Sequence, residues 1–259
     1  MGQKVEVGGT GYDLKGGKPL IGGTAYAIKK GRTLVGGTGY DISLLSGTPI
    51  SDLPVGSVVK IAVNGALREF LIVNQGRPSS IYNTSCDGTW LLMKDIYEKR
   101  QWDSSDSSDI RYSTIHSYLN GAFLTLLDVE IKDLIRQAEI PCSYQYSRFN
   151  VSAKVFLLSD REVGFSSGDY RYFPDDGAKT SYFIDGTGSD ACNKRIAYLN
   201  GAKTDWWTRS VHPADTSSVW QVSSSGFWNY TNASISAGIR PAFVLPFDTQ
   251  VSDDGSILG

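Results

Sequence analysis

The stretch Val58-Val59-Lys60-Ile61-Ala62-Val63-Asn64-Gly65-Ala66-Leu67-Arg68-Glu69-Phe70-Leu71-Ile72-Val73 reads as strand, turn, strand. Both central residues of a type I′ turn need positive φ, which Asn and Gly tolerate, so Asn64-Gly65 marks a two-residue hairpin. The runs on either side, 58–63 and 68–73, are β-branched and aliphatic, as strands prefer. Outward from this hairpin, 90–93 (Trp-Leu-Leu-Met) reads as a buried strand. Ser113 is placed to cap a short helix over 114–120, with Gly121 just past its end. Leu126, Leu127, Ile131, Leu134 and Ile135 recur at helical spacing and predict a second helix over 124–137, with Pro141 following it. Further strands are expected at 154–158 and 242–245. Early helices, strands elsewhere and long aromatic loops together predict an α+β domain with long loops over residues 51–259.

Toward the N-terminus the pattern changes. Gly8-Gly9-Thr10-Gly11-Tyr12-Asp13-Leu14 recurs at Gly22-Gly23-Thr24-Ala25-Tyr26-Ala27-Ile28 and at Gly36-Gly37-Thr38-Gly39-Tyr40-Asp41-Ile42, a period of 14 residues. Thirteen of the 28 glycines fall in the first 47 residues. Short apolar alternations broken by glycine pairs predict strands and tight turns, hence an all-β repeat region over residues 1–47. One such unit cannot bury its apolar face alone. The expectation is docking on another protein or homotrimerisation, against the blander reading of a β-ribbon laid on the chain's own main domain. Ser46-Gly47-Thr48-Pro49 reads as the linker.

Composition narrows the function classes. The 259 residues carry a net charge of −2 and 20% charged side chains, without the clustered Lys and Arg that nucleic acid demands. No apolar run approaches the length of a membrane span, and the N-terminus has no h-region, so synthesis in the cytoplasm without a signal peptide is expected. Without such a leader the Asn-x-Ser/Thr sites at Asn83, Asn150, Asn229 and Asn232 carry little weight. Cys86, Cys142 and Cys192 show no metal spacing and read as free, buried thiols. No cofactor or metal is expected.

Three candidate chemistries are weak. Gly164-Phe165-Ser166-Ser167-Gly168 matches the serine-hydrolase pattern, with His212 downstream, but the following Asp169-Tyr170-Arg171-Tyr172-Phe173-Pro174 will not open the helix that pattern requires. Asp103, Asp106 and Asp109 lie three apart among serines. They lack the alternating ligands and central glycine of a calcium loop and read as a solvated lead into the Ser113 helix. His116 has no nucleophile motif beside it.

The strongest signal lies at the C-terminal end. Residues 210–239 contain one charged residue, Asp215, and eight serines; the chain average would put about six charges there. Trp206, Trp207, Trp220 and Trp228 are joined by Phe227 and Tyr230. Rigid aromatics with short polar side chains and no charge form the composition of a binding surface of the antibody type.

Trp206-Trp207-Thr208-Arg209-Ser210 with Gly238-Ile239-Arg240-Pro241-Ala242-Phe243 resembles a WW-x-RS … G-[IV]-RPA signature. It is similar to a family of C-type-lectin-like domains in phage and prophage proteins of gut Firmicutes. Cys86–Asp95, Ser113–Asn120 and Arg195–Gly201 resemble the same family, as does the glycine repeat. Val211 stands where that pattern has proline. The C-terminal placement also resembles the variable proteins of diversity-generating retroelements. That resemblance implies a C-type-lectin-like scaffold made of Trp206, Trp207, Arg209, Gly226, Gly238, Arg240 and Pro241; because an unpaired buried guanidinium is costly, Arg240 is expected to be buried and paired, with a carboxylate as one candidate partner. It further implies a displayed surface of His212, Asp215, Ser217, Ser218, Gln221, Ser223, Phe227, Trp228, Asn229, Tyr230 and Asn232.

The function these readings imply is a phage receptor-binding protein or adhesin on the virion. It would bind a host cell-surface protein or glycan and meet other virion proteins through its repeats. The competing expectations are a virion decoration protein without a ligand, a serine hydrolase using Ser166 and His212, and an oxidase of the formylglycine-generating type, which needs an active-site cysteine pair.

Overall fold

The computed structural model describes residues 47–166 and 173–258 in full and, between residues 4 and 42, the backbone of six strands. Those strands follow the repeat: β1 (Lys4–Val7), β2 (Thr10–Lys15), β3 (Lys18–Ile21), β4 (Thr24–Ala25), β5 (Gly31–Val35) and β6 (Thr38–Ile42). The first four form an antiparallel meander and the last two a hairpin. Val7 pairs with Thr10, Ile21 with Thr24 and Val35 with Thr38. The two-residue turns expected at the repeated Gly-Gly pairs, 8–9, 22–23 and 36–37, lie outside the described residues. The first hairpin pairs on to the second, Lys15 opposite Lys18.

Beyond the repeats, β7 (Thr48–Pro49) pairs with β21 (Gln250–Val251), which also pairs with β22 (Ile257–Leu258), so the two ends of this part of the chain meet. The hairpin around Asn64-Gly65 forms as its turn chemistry dictates. β8 (Val58–Val63) pairs antiparallel with β9 (Ala66–Gln75), with φ at +52° and +71° on the two turn residues. β10 (Thr89–Met93), buried at all five positions, and β20 (Ala242–Leu245) complete a sheet ordered β20-β10-β9-β8.

A second sheet runs β11-β19-β16-β17-β18, built from β11 (Lys99–Gln101), β16 (Trp206–Val211), β17 (Ser218–Val222), β18 (Trp228–Asn232) and β19 (Ser236–Gly238). β16 and β17 are buried throughout, whereas β18 is the open edge. Two hairpins flank it: β12 (Ala138–Tyr144) with β13 (Ser147–Ala153), and β14 (Tyr198–Leu199) with β15 (Ala202–Lys203). Trp90, Trp102, Trp206, Trp207 and Trp220 are all fully buried, and the core is built around them.

The α+β expectation, with its C-type-lectin-like domain, is overturned. The fold is mostly β, 36% strand against 16% helix, in several small antiparallel sheets with no closed barrel. Among the described residues the α-helices are three short ones: α1 (Thr114–Tyr118), α2 (Val129–Leu134) and α3 (Ser189–Arg195). Ser113 caps α1, its hydroxyl accepting from the His116 N–H at 3.2 Å. The helix does not stop at Gly121 but passes through a π turn, Leu119–Phe123, and a 3-10 turn, Leu124–Leu126.

The long helix expected over 124–137 fails at Leu127, which is extended (φ −83°, ψ 146°). The Leu126 carbonyl accepts from the Asn64 N–H at 2.8 Å, and Leu127 bridges Val63. Pairing to the first hairpin thus overrides helix propensity. Pro141 then lies inside β12, not beyond a helix, in a two-stranded ribbon where its missing N–H costs little. Residues 155–158 are buried but form no strand among the described residues; Phe156 bridges Ala242, and the Leu158 carbonyl accepts from the Arg209 N–H at 2.9 Å.

Candidate functional site

The five-stranded sheet is anchored from below. Arg209 on β16 makes a bidentate pair with Glu162, both N···O distances 2.5 Å, in full burial. Its guanidinium also donates to the carbonyls of Pro141, Leu157 and Asp176. Tyr82 donates to Glu162 at 2.7 Å, and the Ser159 N–H donates to the other carboxylate oxygen. Burial opposes the Arg209 charge, but Glu162 outweighs it and the pKa is raised. Beside this pair Ser210 donates to Asp176 at 2.7 Å and accepts from the Asp160 N–H. Burial raises both aspartate pKa values, Asp176 to about 6, while the neighbouring Asp176 pushes Asp160 further.

A second buried cation places the hairpin tip. Arg195 on α3 donates to the carbonyls of Val163, Gly164, Ile184, Gly186 and Gly226, and its guanidinium lies 3.9 Å from the Phe165 ring. The loop joining β17 to β18 is closed by Ser223 N–H to Phe227 O at 2.7 Å and Gly226 N–H to Ser223 O at 2.8 Å. Gly226 sits at φ +85°, and a Cβ there would lie 2.2 Å from the Cys192 carbonyl, so only glycine lets the tip rest on α3.

All seven residues that the resemblance assigns to the scaffold are buried. Among the described residues, however, Arg240 pairs with no carboxylate. It donates to the carbonyls of Met93 and Lys94 and lies over the Trp206 ring at 4.6 Å, and burial lowers its pKa to about 10.

The eleven residues assigned to the surface divide into three groups. Ser218 and Gln221 are buried in β17, because both faces of that central strand are covered. Asp215, Ser217 and Ser218 satisfy one another: one Asp215 oxygen accepts the Ser217 N–H and hydroxyl, each at 2.9 Å, and the other accepts the Ser218 hydroxyl at 2.6 Å. The Ser218 hydroxyl, then the Ser217 N–H, lower the Asp215 pKa. These groups close a turn. His212, its pKa lowered by burial, packs on Trp220 and Tyr230 with ring centroids 5.5 and 5.3 Å away.

The remaining residues reach solvent. Register places Trp220 opposite Tyr230 and Val222 opposite Trp228. Strand alternation therefore puts Trp228, Tyr230 and Asn232 on one face of β18, and Asn229 and Thr231 on the other. Trp228 is half-buried, edge-on to Trp220 (5.9 Å) and Phe173 (6.0 Å). Tyr230 rests on Trp220 with 43% of its surface open, and Phe227 at the tip is 46% exposed. Ser223 is half-buried, its hydroxyl 2.9 Å from that of Ser225, while Asn229 and Asn232 are exposed. The result is an uncharged aromatic ridge held rigidly from beneath.

The other candidates resolve structurally. Asp103 binds the N–H groups of Ser105 and Thr114, Asp106 accepts from the Ser234 N–H, and Asp109 pairs with Arg111. They tie the loop to α1 and to the strand end after β18. Among the described residues no group of three or more metal-ligating side chains converges. Burial pushes the Cys86 thiol up to about 11 and Cys142 to about 12, the opposite of an activated nucleophile, and all three cysteines are free. His116 is lowered by burial and lies 3.4 Å from the Asn120 amide. Gly164 turns at φ +87° under Arg195; Ser167, Gly168 and residues 169–172 lie outside the described residues. Among the described residues no helix is long and apolar enough to cross a membrane.

Sequence reasoning did not single out Lys99, Lys203, Asp205 or Ser236, which the structure brings beside Gln221 and Asn229 in a polar cleft of about 370 Å³. No motif marks them, because they come from strands far apart in the chain.

This is a β-rich domain with a rigid, uncharged edge-strand surface. Residues 87–247 match the model of a domain of unknown function, DUF6273, and the chain belongs to that family. Neither a curated protein nor a solved structure matches it. The matched stretch begins after β8 and β9, although their pairing to β10 makes them part of the same sheet.

Proposed function

We propose that the chain is a ligand-binding protein of the adhesin or receptor-binding kind, carried on a phage particle. Its contact surface is the ridge formed by the β17–β18 loop and β18, and its target is a host cell-surface molecule. The observation that carries this reading is the edge strand itself. Phe227, Tyr230 and Asn232 stand exposed in a segment with one charge, on a base of buried tryptophans and a buried Arg209–Glu162 pair. Rigid aromatics lose little entropy on binding, and a fixed scaffold supplies the preorganisation. The N-terminal hairpins suit attachment to the particle, where several copies would multiply a weak single-site affinity. The resemblance to variable proteins of diversity-generating retroelements favours hypermutation of the same segment. A near-copy of the coding segment for residues 206–241 beside a reverse transcriptase gene would support it.

Trp228 is packed on Trp220 and Phe173, so its truncation would disturb the fold as well as the surface. The cleaner test is Phe227→Ala with Tyr230→Ala. With melting unchanged, attachment of labelled protein to host cells should fall at least tenfold, a loss of about 1.4 kcal/mol or more. Attachment at the level of the unaltered chain would remove the ridge from the binding surface.

A further inference from the structure

The face of β18 opposite the ridge borders the polar cleft. Its lining includes Gln221 of β17, Asn229 and Thr231 of β18, Ser236 of β19, Lys99 of β11 and Lys203 of β15. Gln221 is 4% exposed, yet among the described residues nothing hydrogen-bonds its side-chain amide. The amide is not among the fully enclosed polar atoms that lack a partner, so it faces the opening of the cleft, where a ligand can meet it. Asn229 and Thr231 likewise make no side-chain hydrogen bond among the described residues, and they extend the same row of donors and acceptors. Lys99 and Lys203 are exposed and form no ion pair among the described residues. The cleft's carboxylate, Asp205, is committed to the rim. One oxygen accepts from the Ser224 N–H at 2.7 Å, holding the end of the β17–β18 loop, and its backbone carbonyl accepts from the Gly238 N–H.

These chemistries select a ligand class. Side-chain amides and hydroxyls each offer both a donor and an acceptor, as do the ring hydroxyls of a sugar. An apolar ligand would leave the Gln221 amide unpaired. Two lysines without acidic partners add a requirement for negative charge, and as point charges they suit a carboxylate. The volume is within the range of small-ligand sites. We propose that this cleft binds an acidic saccharide. Sugar hydroxyls would meet Gln221, Asn229, Thr231 and Ser236, and a uronic- or sialic-acid carboxylate would lie between Lys99 and Lys203. Of the ridge only Tyr230 also borders the cleft, and the proposal rests on the polar lining and the two lysines.

The test is saturation-transfer NMR on the full chain with oligosaccharides of galacturonic acid and of sialic acid, and galactotriose as the neutral control. At least one acidic oligosaccharide should receive saturation and bind at least tenfold more tightly than galactotriose. Lys99→Gln with Lys203→Gln should abolish that preference, and Asn229→Ala should weaken acidic and neutral sugars alike, with melting unchanged in both. Absence of transfer to every acidic sugar would overturn the proposal. So would equal binding of galactotriose, or acidic binding unaffected by the lysine substitutions. Tyr230 borders the cleft, so the two readings are separated by Phe227→Ala alone, a residue outside the cleft lining: lost cell attachment with unchanged saccharide binding reports on the ridge.

Discussion

Glu162 shows what a single buried side chain does for this surface. Its carboxylate takes two Arg209 nitrogens, the Tyr82 hydroxyl and the Ser159 N–H, so a central strand of the site-bearing sheet is tied to the loops that carry Tyr82 and Ser159. Removing one member of such a pair strands the other charge. Glu162→Gln is therefore expected to cost about 3 kcal/mol or more in urea unfolding, and a cost within error of zero would mean that Arg209 finds another acceptor. Asp176 acts in the opposite sense. Its folded pKa is raised to about 6 by burial, whereas an unfolded carboxyl titrates near about 4. Between those values the folded chain holds a proton that the unfolded chain has released. The Asp176 contribution to stability is then greatest below about pH 4 and falls by about 3 kcal/mol as pH rises to about 6, where it levels off. Asp176→Asn keeps an acceptor for Ser210 and removes the titration, so the fall across that window should shrink; an identical pH profile would assign it to another group, of which Asp160 is the neighbour.

At the scale of elements, what was legible followed from local chemistry. The Asn64-Gly65 turn read correctly because a two-residue turn is specified by its own residues. The helix expected over 124–137 did not form as one piece because Leu126 and Leu127 are held by Asn64 and Val63, partners more than sixty positions away that periodicity does not register. The candidate surface was legible in part. Scarcity of charge located the β17–β18 region, but Ser, Asn and Gln look alike in composition whether they close a turn, as Ser217 and Ser218 do, or face solvent, as Asn229 does. Gly226 decides how this hairpin sits, since the tip lies against the Cys192 backbone. Gly226→Ala should destabilise the domain by on the order of 2 kcal/mol, read as a lowered Tm. It should also loosen the ridge, seen as faster amide exchange at 223–232 than at β10. A fall in Tm with unchanged exchange at the tip would show that the strain spreads into α3 instead.

At the scale of the whole molecule the proposed tasks fall at the two ends of the chain. Gly47 and β7 are locked to the last strands: a Cβ on Gly47 would lie 2.8 Å from the Val251 carbonyl, and Thr48 pairs with Val251. The C-terminal domain thus closes on itself from residue 47 onward, and the hairpins before it are additional to that closure. Short glycine-rich hairpins expose strand edges, which seek pairing partners in other chains. If they serve assembly, their loss should separate association from folding. A chain beginning at residue 47 is expected to melt within about 2 °C of the full protein, because it keeps every pairing of the two larger sheets, and a stability change below ~0.5 kcal/mol shifts Tm by little at this size. In sedimentation it should run as a monomer where the full chain runs as a trimer. Binding of the isolated domain to the acidic saccharide should be unchanged per site, while attachment to cells should fall through lost multivalency. A full chain that is itself monomeric would remove self-association and leave docking on another virion protein as the role of the repeats. A shortened chain that melts far lower would instead mean that the repeats pack on the domain, as the blander ribbon reading of the sequence has it.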